Sequence, residues 1–307
     1  MKGLLLINLG SPDSTEVKDV RRYLDEFLMD ERVIGKSYLF RLFLVRGIIL
    51  NFRPKKSAAA YKKIWWKEGS PLIVLSQRLF EKVKKTIKIP AALAMRYGSM
   101  SINKGIQELH DQGVDDIIVL PLYPHYAMSS YESVVVKVEQ EIAQHFKHIK
   151  TSLIPAFYND PLYLKAMINN IKFHLKDIEY DYMLFSYHGL PESHLRISDP
   201  TNFHCQGNSC CDKGSVAHNT CYRHQVFETT KSIVKALGLK EGTYSNAFQS
   251  RLANEPWLKP YTDSELARLA KEGFKKMVVI TPAFVTDCLE TLEEIAMEAK
   301  EEFVDAG

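Results

Sequence analysis

Short apolar runs at 2–8, 91–95, 117–120, 151–155, 182–187, 243–248 and 277–281 are separated by longer stretches with apolar residues at helical spacing. This alternation limits the fold more than any other feature. Runs of that length between Gly and Pro turns read as buried strands, and the stretches between them as amphipathic helices. The helices are expected over 13–27, 71–87, 101–112, 131–146, 161–176, 222–237 and 263–271, with an acidic helix last. Strands joined through helices run parallel, with helices on both faces of the sheet. The class is therefore α/β.

Two halves echo one another. Leu6-Ile7-Asn8-Leu9-Gly10-Ser11-Pro12 resembles Phe185-Ser186-Tyr187-His188-Gly189-Leu190-Pro191, and residues 113–121 resemble residues 273–282. The expectation is two Rossmann-like domains, 1–127 and 128–307, with parallel sheets flanked by helices and an active cleft between them. A chain of 307 residues that is 46% apolar has core enough for both.

A net charge of +3 gives no reason to expect a nucleic-acid partner. The opening Met1–Gly10 is too short an apolar run for a signal peptide, and no stretch of the sequence is apolar enough to span a membrane. A cytoplasmic protein with reduced thiols is expected. No Gly-x-Gly-x-x-Gly follows a strand, and neither a phosphate-binding Gly-x4-Gly-Lys motif nor a Gly-x-Ser-x-Gly elbow occurs. No nucleotide cofactor is expected.

The last helix, from Thr286, carries the most unusual pattern. At about 100° per residue, Asp287, Glu290, Glu294 and Glu298 share one face, with Leu289, Leu292, Ala296, Ala299 and Phe303 opposite. Like charges at i,i+4 repel by a few tenths of a kcal/mol. Two readings follow: a solvated face, or a row along which a cation binds or passes. Asp287 also suits the helix dipole. His188 ends a strand in the same half, just before Gly189-Leu190-Pro191. Strand ends of one sheet share a rim, so His188 and the acidic row belong together. A neutral imidazole there takes up a proton or joins carboxylates in binding Fe(II), Zn(II) or Co(II).

Cys205, Cys210, Cys211 and Cys221 crowd into 17 residues of a stretch that reads as loop. Four thiols at this spacing suit a metal or an iron–sulfur cluster and fit a zinc ribbon poorly; the alternative is idle or disulfide-bonded thiols. Cys288 stands apart. Residues 33–50 mix apolar triplets with Lys36, Arg41 and Arg46, which suits either a core helix or a membrane-facing lip. The following Arg53, Lys55 and Lys56 are either solvated or an anchor for substrate carboxylates. Tyr97, Tyr123, Tyr126, Tyr187 and Trp257 pack in the core or stack on a flat ligand.

Three stretches carry a resemblance: Phe185–Pro191; Phe248–Arg251 with Glu255–Pro260; and Phe284–Leu292. With Asn8–Pro12, Gly69–Leu72 and Tyr123–Tyr126, they make the whole chain similar to the ferrochelatase family. That resemblance implies a lyase that inserts Fe(II) into protoporphyrin IX, the last step of haem synthesis, without ATP. It implies that His188 is the active-site histidine and Glu290 its facing carboxylate, with Glu294 and Glu298 continuing an acidic path for metal or protons. Leu24, Phe27 and Leu28 match an apolar lip over the porphyrin, Arg53 and Ser70 the propionate positions, and Arg96 and Tyr123 further pocket positions. The cysteine segment resembles that of a bacterial subset carrying a 2Fe–2S cluster. Residues 33–50 would then give peripheral contact at the inner face of the cell membrane. Two departures stand out. Cys288 occupies a position where the family usually has histidine, and family members usually continue past Gly307 with a further strand and helix. The alternatives are a cobalt chelatase acting on a corrin precursor and a non-catalytic tetrapyrrole or iron–sulfur carrier.

Overall fold

The computed structural model describes residues 1–207, 209–251 and 255–307. They form two compact units. The first comprises Met1–Tyr123, Met128–Pro155 and Thr286–Leu289; the second comprises Pro124–Ala127, Ala156–Val285 and Glu290–Gly307.

In the first unit, β1 (Lys2–Gly10) leads to α1 (Val17–Leu28) and α2 (Tyr38–Leu42). A π-helical stretch, Phe43–Ile49, joins α2 to α3 (Leu50–Ile64). Then come α4 (Pro71–Lys84), β2 (Ala91–Tyr97), α5 (Ile102–Asp111) and β3 (Asp116–Pro121). A π-helical turn, Met128–Glu132, opens α6 (Ser133–His145), and β4 (Lys150–Leu153) ends the unit's main body. All four strands are parallel, in the order β2-β1-β3-β4. Central β1 is covered on both faces, which is why Leu5, Leu6 and Ile7 are consecutive and fully buried. Edge strand β4 is exposed throughout and correspondingly polar.

The second unit contains α7 (Pro161–Leu175), β5 (Tyr182–His188), α8 (Glu192–Ile197), α9 (Tyr222–Leu237), β6 (Tyr244–Gln249), α10 (Thr262–Lys271) and β7 (Met277–Ile280). A π-helix, Glu290–Ala299, runs into α11 (Lys300–Asp305). The sheet is again parallel, ordered β6-β5-β7, with β5 buried up to Tyr187. The fold is α/β, two Rossmann-like domains of parallel strands flanked by helices.

Four expectations need correction. The division at 127/128 assigned α6 and β4 to the second domain, but β4 pairs with β3 from Asp116↔Lys150 to Val119↔Leu153. The acidic segment is a π-helix from Glu290, not an α-helix from Thr286. Its i→i+5 bonding turns less per residue than an α-helix. The buried side is therefore Thr291, Glu293, Ile295 and Ala299, while Ala296 is exposed. The stretch 194–221 is not plain loop, since it holds the end of α8 and the short helical turns Cys210–Asp212 and Val216–Asn219. The core reading of 33–50 fails for most of its side chains: Tyr38, Leu39, Phe40, Phe43 and Ile48 are exposed, as is Phe52 just beyond, whereas Arg41 and Val45 turn inward. Among the described residues, no helix is long and apolar enough to cross a membrane.

Candidate active site

In the second unit the site begins where β5 stops. His188 pairs in register with Gln249, the last residue of β6. The Gly189 N–H donates to the Gln249 carbonyl at 2.7 Å. A Cβ on residue 189 would lie 2.7 Å from that same oxygen, so only glycine fits there. The His188 ring is half-buried, with Nδ1 2.6 Å from the Gly189 carbonyl oxygen. A carbonyl only accepts, so Nδ1 carries a proton, and in the neutral ring Nε2 is the nitrogen left to accept. The Tyr222 hydroxyl donates to the His188 carbonyl at 2.9 Å, fixing the strand end from below the turn.

The end of β6 fixes a carboxylate. Gln249 Nε2 donates to the Glu290 carbonyl (3.0 Å) and to Glu294 Oε2 (3.2 Å). The Ser250 N–H donates to Glu294 Oε1 at 2.8 Å, and its hydroxyl to Oε2 at 2.5 Å. Ser250 has φ +64°, a left-handed conformation that costs a non-glycine residue energy and is held here by these bonds. Every described donor to Glu294 is uncharged, so its negative charge is oriented without being neutralised.

The π-helix brings residues four apart nearly into line, so Glu290, Glu294 and Glu298 remain a row. The row goes further than the sequence reading took it. The Glu302 carboxyl is pushed up by burial and then by the charges of Asp263, Glu298 and Glu294. The charges of Glu298 and Glu294 thus reach Glu302, which stands beyond them on the same segment. Among the described residues, no three His, Cys, Asp or Glu side chains are arranged to hold a metal ion, so the row is an open series rather than a closed coordination shell.

Thr286–Leu289 belongs to the first unit. Asn8 near the end of β1 anchors it, donating to Thr286 Oγ1 (3.1 Å) and Ser76 Oγ (2.9 Å) while accepting from the Leu9 N–H. Asp287 is exposed and Cys288 buried.

The remaining candidates of the first unit differ in exposure. Leu24 and Leu28 are buried, and Phe27 is half-buried, stacked on Tyr23 and edge-on to Tyr97. Ser70 is buried immediately ahead of α4, Arg53 is exposed on α3, and Tyr123 is half-buried. Arg96 is committed to Asp30 (2.5 Å) and to Ser133 Oγ (2.7 Å), and its guanidinium lies over the Tyr97 ring. Burial alone would raise the Asp30 carboxyl. The Ser133 hydroxyl, the Arg32 N–H, Arg96 and the Tyr97 hydroxyl outweigh it and hold the group below its ordinary value.

All four loop cysteines are free thiols, with Cys205, Cys210 and Cys221 buried and Cys211 half-buried. Cys221 caps α9, its Sγ accepting from the His224 N–H at 3.5 Å. The neighbouring Cys221 thiol and burial push the Cys211 thiol up, and burial also raises the Cys205 thiol. Arg223 Nη2 lies 2.8 Å from Cys210 Sγ. Asp199 organises the loop entry by accepting from the Thr201 hydroxyl and the N–H groups of Thr201, His204 and Cys205. Among the described residues, no three of these sulfurs are arranged to hold a metal ion; Cys221 stands one residue before the Tyr222 that holds His188.

Sequence reasoning gave no role to Gln249, Ser250, Tyr222, Asn8 or Glu302. Gln249 was within reach, because it ends β6 as His188 ends β5, and strand ends of one parallel sheet share a rim.

A family model described as Ferrochelatase matches residues 1–307. A protein named Ferrochelatase from Opitutus terrae is 49% identical over 315 residues, covering all of this chain and 90% of the relative. One of the same name from Stutzerimonas stutzeri is 46% identical over 309 residues, with the same coverage. Another, from Ectopseudomonas mendocina, is 46% identical over 306 residues, covering 99% of this chain and 89% of the relative.

Proposed function

This chain belongs to the ferrochelatase family, and from that premise we propose that it inserts Fe(II) into protoporphyrin IX to give protohaem. The carrying observation is the pairing of an imidazole whose Nε2 is free to accept with an uncompensated, immobilised carboxylate on the adjacent strand end and helix. Metallation has three costs: iron sheds water, two pyrrole protons leave, and the macrocycle bends to turn its nitrogen lone pairs to the metal. His188 Nε2 accepts a pyrrole proton. Glu290, Glu294 and Glu298 favour the resulting imidazolium and carry protons or incoming iron, as a charged row does for cations. Bending the ring falls to the porphyrin contacts, for which family likeness supports Leu24, Phe27, Leu28, Arg53, Ser70, Arg96 and Tyr123. Arg96 acts there through Asp30 and Tyr97, to which it is bound. No observation favours the cobalt or carrier alternatives.

The test is anaerobic mixing with protoporphyrin IX and Fe(II), following the loss of porphyrin fluorescence. Loss over many equivalents per protein is expected. No loss above the protein-free control would overturn the reading.

Two finer assignments go with it. Cys205, Cys210, Cys211 and Cys221 would hold a 2Fe–2S cluster, a reading supported by four free thiols within 17 residues and by Arg223 beside Cys210, whose charge offsets thiolates. Such a cluster supplies one-electron chemistry and a covalent tie across the loop. Anaerobic reconstitution is expected to give visible absorption that Cys210→Ser removes; a colourless protein would contradict it. The exposed apolar residues between Tyr38 and Phe52, with Arg46, Arg53, Lys55 and Lys56 beside them, form a peripheral contact with an anionic membrane. Failure to float with anionic vesicles would contradict that contact.

A further inference from the structure

The Gln249 amide turns its nitrogen to Glu294, and the cause lies two residues before His188. Gln249 Nε2 meets the Glu290 carbonyl at 3.0 Å and Glu294 Oε2 at 3.2 Å, and both of these only accept. The amide oxygen therefore points the other way, to Ser186 Oγ at 2.8 Å. Ser186 has one hydroxyl proton and gives it to that oxygen. Its 3.0 Å bond to Thr262 Oγ1 is then donated by Thr262. The chain runs in one direction, from Thr262 to Ser186, to Gln249, to Glu294. Every proton in it points towards the carboxylate.

The whole chain lies in the second unit, and Ser186, Gln249 and Thr262 are buried. A turned amide would set its oxygen against the Glu294 carboxylate and the Ser186 proton against an NH2 group. Such a mismatch in a buried network forfeits hydrogen bonds that water cannot replace. Alternate side chains of a strand share a face, so Ser186 lies on the His188 face of β5, one step further in. One strand face thus carries the proton acceptor and the anchor of the carboxylate. Tyr187 between them faces the other way, its hydroxyl 2.8 Å from Thr230 Oγ1.

We infer that Ser186 is a positioning residue for iron delivery, with Thr262 behind it. It locks the Gln249 amide, and through it the Glu294 carboxylate, in the orientation that receives the incoming cation. This rests on the reading that the acidic row carries Fe(II). Ser250 holds the same carboxylate independently, so loss of Ser186 loosens Glu294 without releasing it.

The experiment measures anaerobic iron insertion, varying Fe(II) and protoporphyrin IX separately. Ser186→Ala is expected to raise the KM for Fe(II) about three- to tenfold, the worth of one hydrogen bond, and to leave the KM for porphyrin within about twofold. Thr262→Val is expected to shift the iron KM the same way by less, and Thr262→Ser, which keeps the hydroxyl, to restore it. Thr230→Val breaks the bond on the opposite face of β5 and controls for a merely structural loss; its iron KM is expected to match wild type. A second readout needs no turnover. Hydrogen exchange of the Gln249 side-chain amide, followed by NMR and assigned by its absence in Gln249→Met, is expected to quicken about tenfold in Ser186→Ala. Should Ser186→Ala fold poorly, Thr262→Val carries both readouts. Either an unchanged iron KM or unchanged amide exchange overturns the assignment, as does an equal iron KM shift in Thr230→Val. A wild type that inserts no iron overturns instead the reading on which it rests, and the delivery role with it.

Discussion

At the end of β1 the chain runs Leu9-Gly10-Ser11-Pro12, and at the end of β5 it runs His188-Gly189-Leu190-Pro191. Both glycines sit against a neighbouring strand's carbonyl, Tyr97 for Gly10 and Gln249 for Gly189, where a Cβ would collide. In both units the neighbouring strand end also reaches for a carboxylate. In the first, Arg96 and Tyr97 hold Asp30, and the guanidinium neutralises it. In the second, Gln249 and Ser250 hold Glu294 with neutral donors only, so its charge survives. The residue before the glycine is Leu9 in one and His188 in the other. The same turn thus builds a quenched, structural rim in the first unit and a charged, proton-accepting one in the second.

Exchanging the two carboxylates for amides gives the largest contrast. Asp30→Asn leaves Arg96 buried without its partner and is expected to cost about 3–5 kcal/mol in urea unfolding, as broken buried pairs do. Glu294→Gln removes no ion pair. It is expected to cost about 1 kcal/mol through one mismatched donor, while iron insertion falls at least about tenfold. Equal stability losses would mean that the two rims do not differ as described.

The glycines come next. Gly10→Ala adds a collision at φ +104° and is expected to cost about 2–4 kcal/mol. Gly189→Ala, with only the collision, is expected to cost about 1–3 kcal/mol. Its larger effect is on activity, because it displaces the carbonyl that sets the His188 tautomer. Wild-type turnover in Gly189→Ala would show that the tautomer does not need this carbonyl.

The smallest effect at neutral pH is on acid stability. In the second unit, burial drives His125 down to about 3 from an ordinary 6.5. The folded state resists charging it, so its contribution is intact above 6.5 and is lost as pH falls from there towards about 3. In the first unit, Asp30 lies below its ordinary 3.8, so its contribution is lost only below that value. His125→Phe is expected to flatten the stability curve between pH 6.5 and 4, and Asp30→Asn to flatten it only below 3.8. An unchanged slope in His125→Phe would remove His125 from the account.

Parallel sheets were legible because β1 and β5 are covered on both faces and so are written as unbroken apolar runs. The place of β4 was not, because an exposed edge strand has no hydrophobic signature, and its register with β3 decides where it belongs. His188, Glu290, Glu294 and Glu298 were legible from strand ends and i,i+4 spacing. The π-helix was hidden by that spacing, which nearly aligns residues in either helix; burial of Ile295 and exposure of Ala296 distinguish them. Gln249 and Ser250 were missed because they are neutral, and a search for titratable groups passes over the donors that orient them. Arg41, a charge in an exposed segment, gave no sign of turning inward.

The central claim is that His188 Nε2 accepts the pyrrole proton. His188→Ala should lower iron insertion into protoporphyrin IX by about a hundredfold or more, the share of a general base, while porphyrin binding, read by fluorescence, stays within about twofold of wild type. Wild-type-like turnover in His188→Ala would contradict the account.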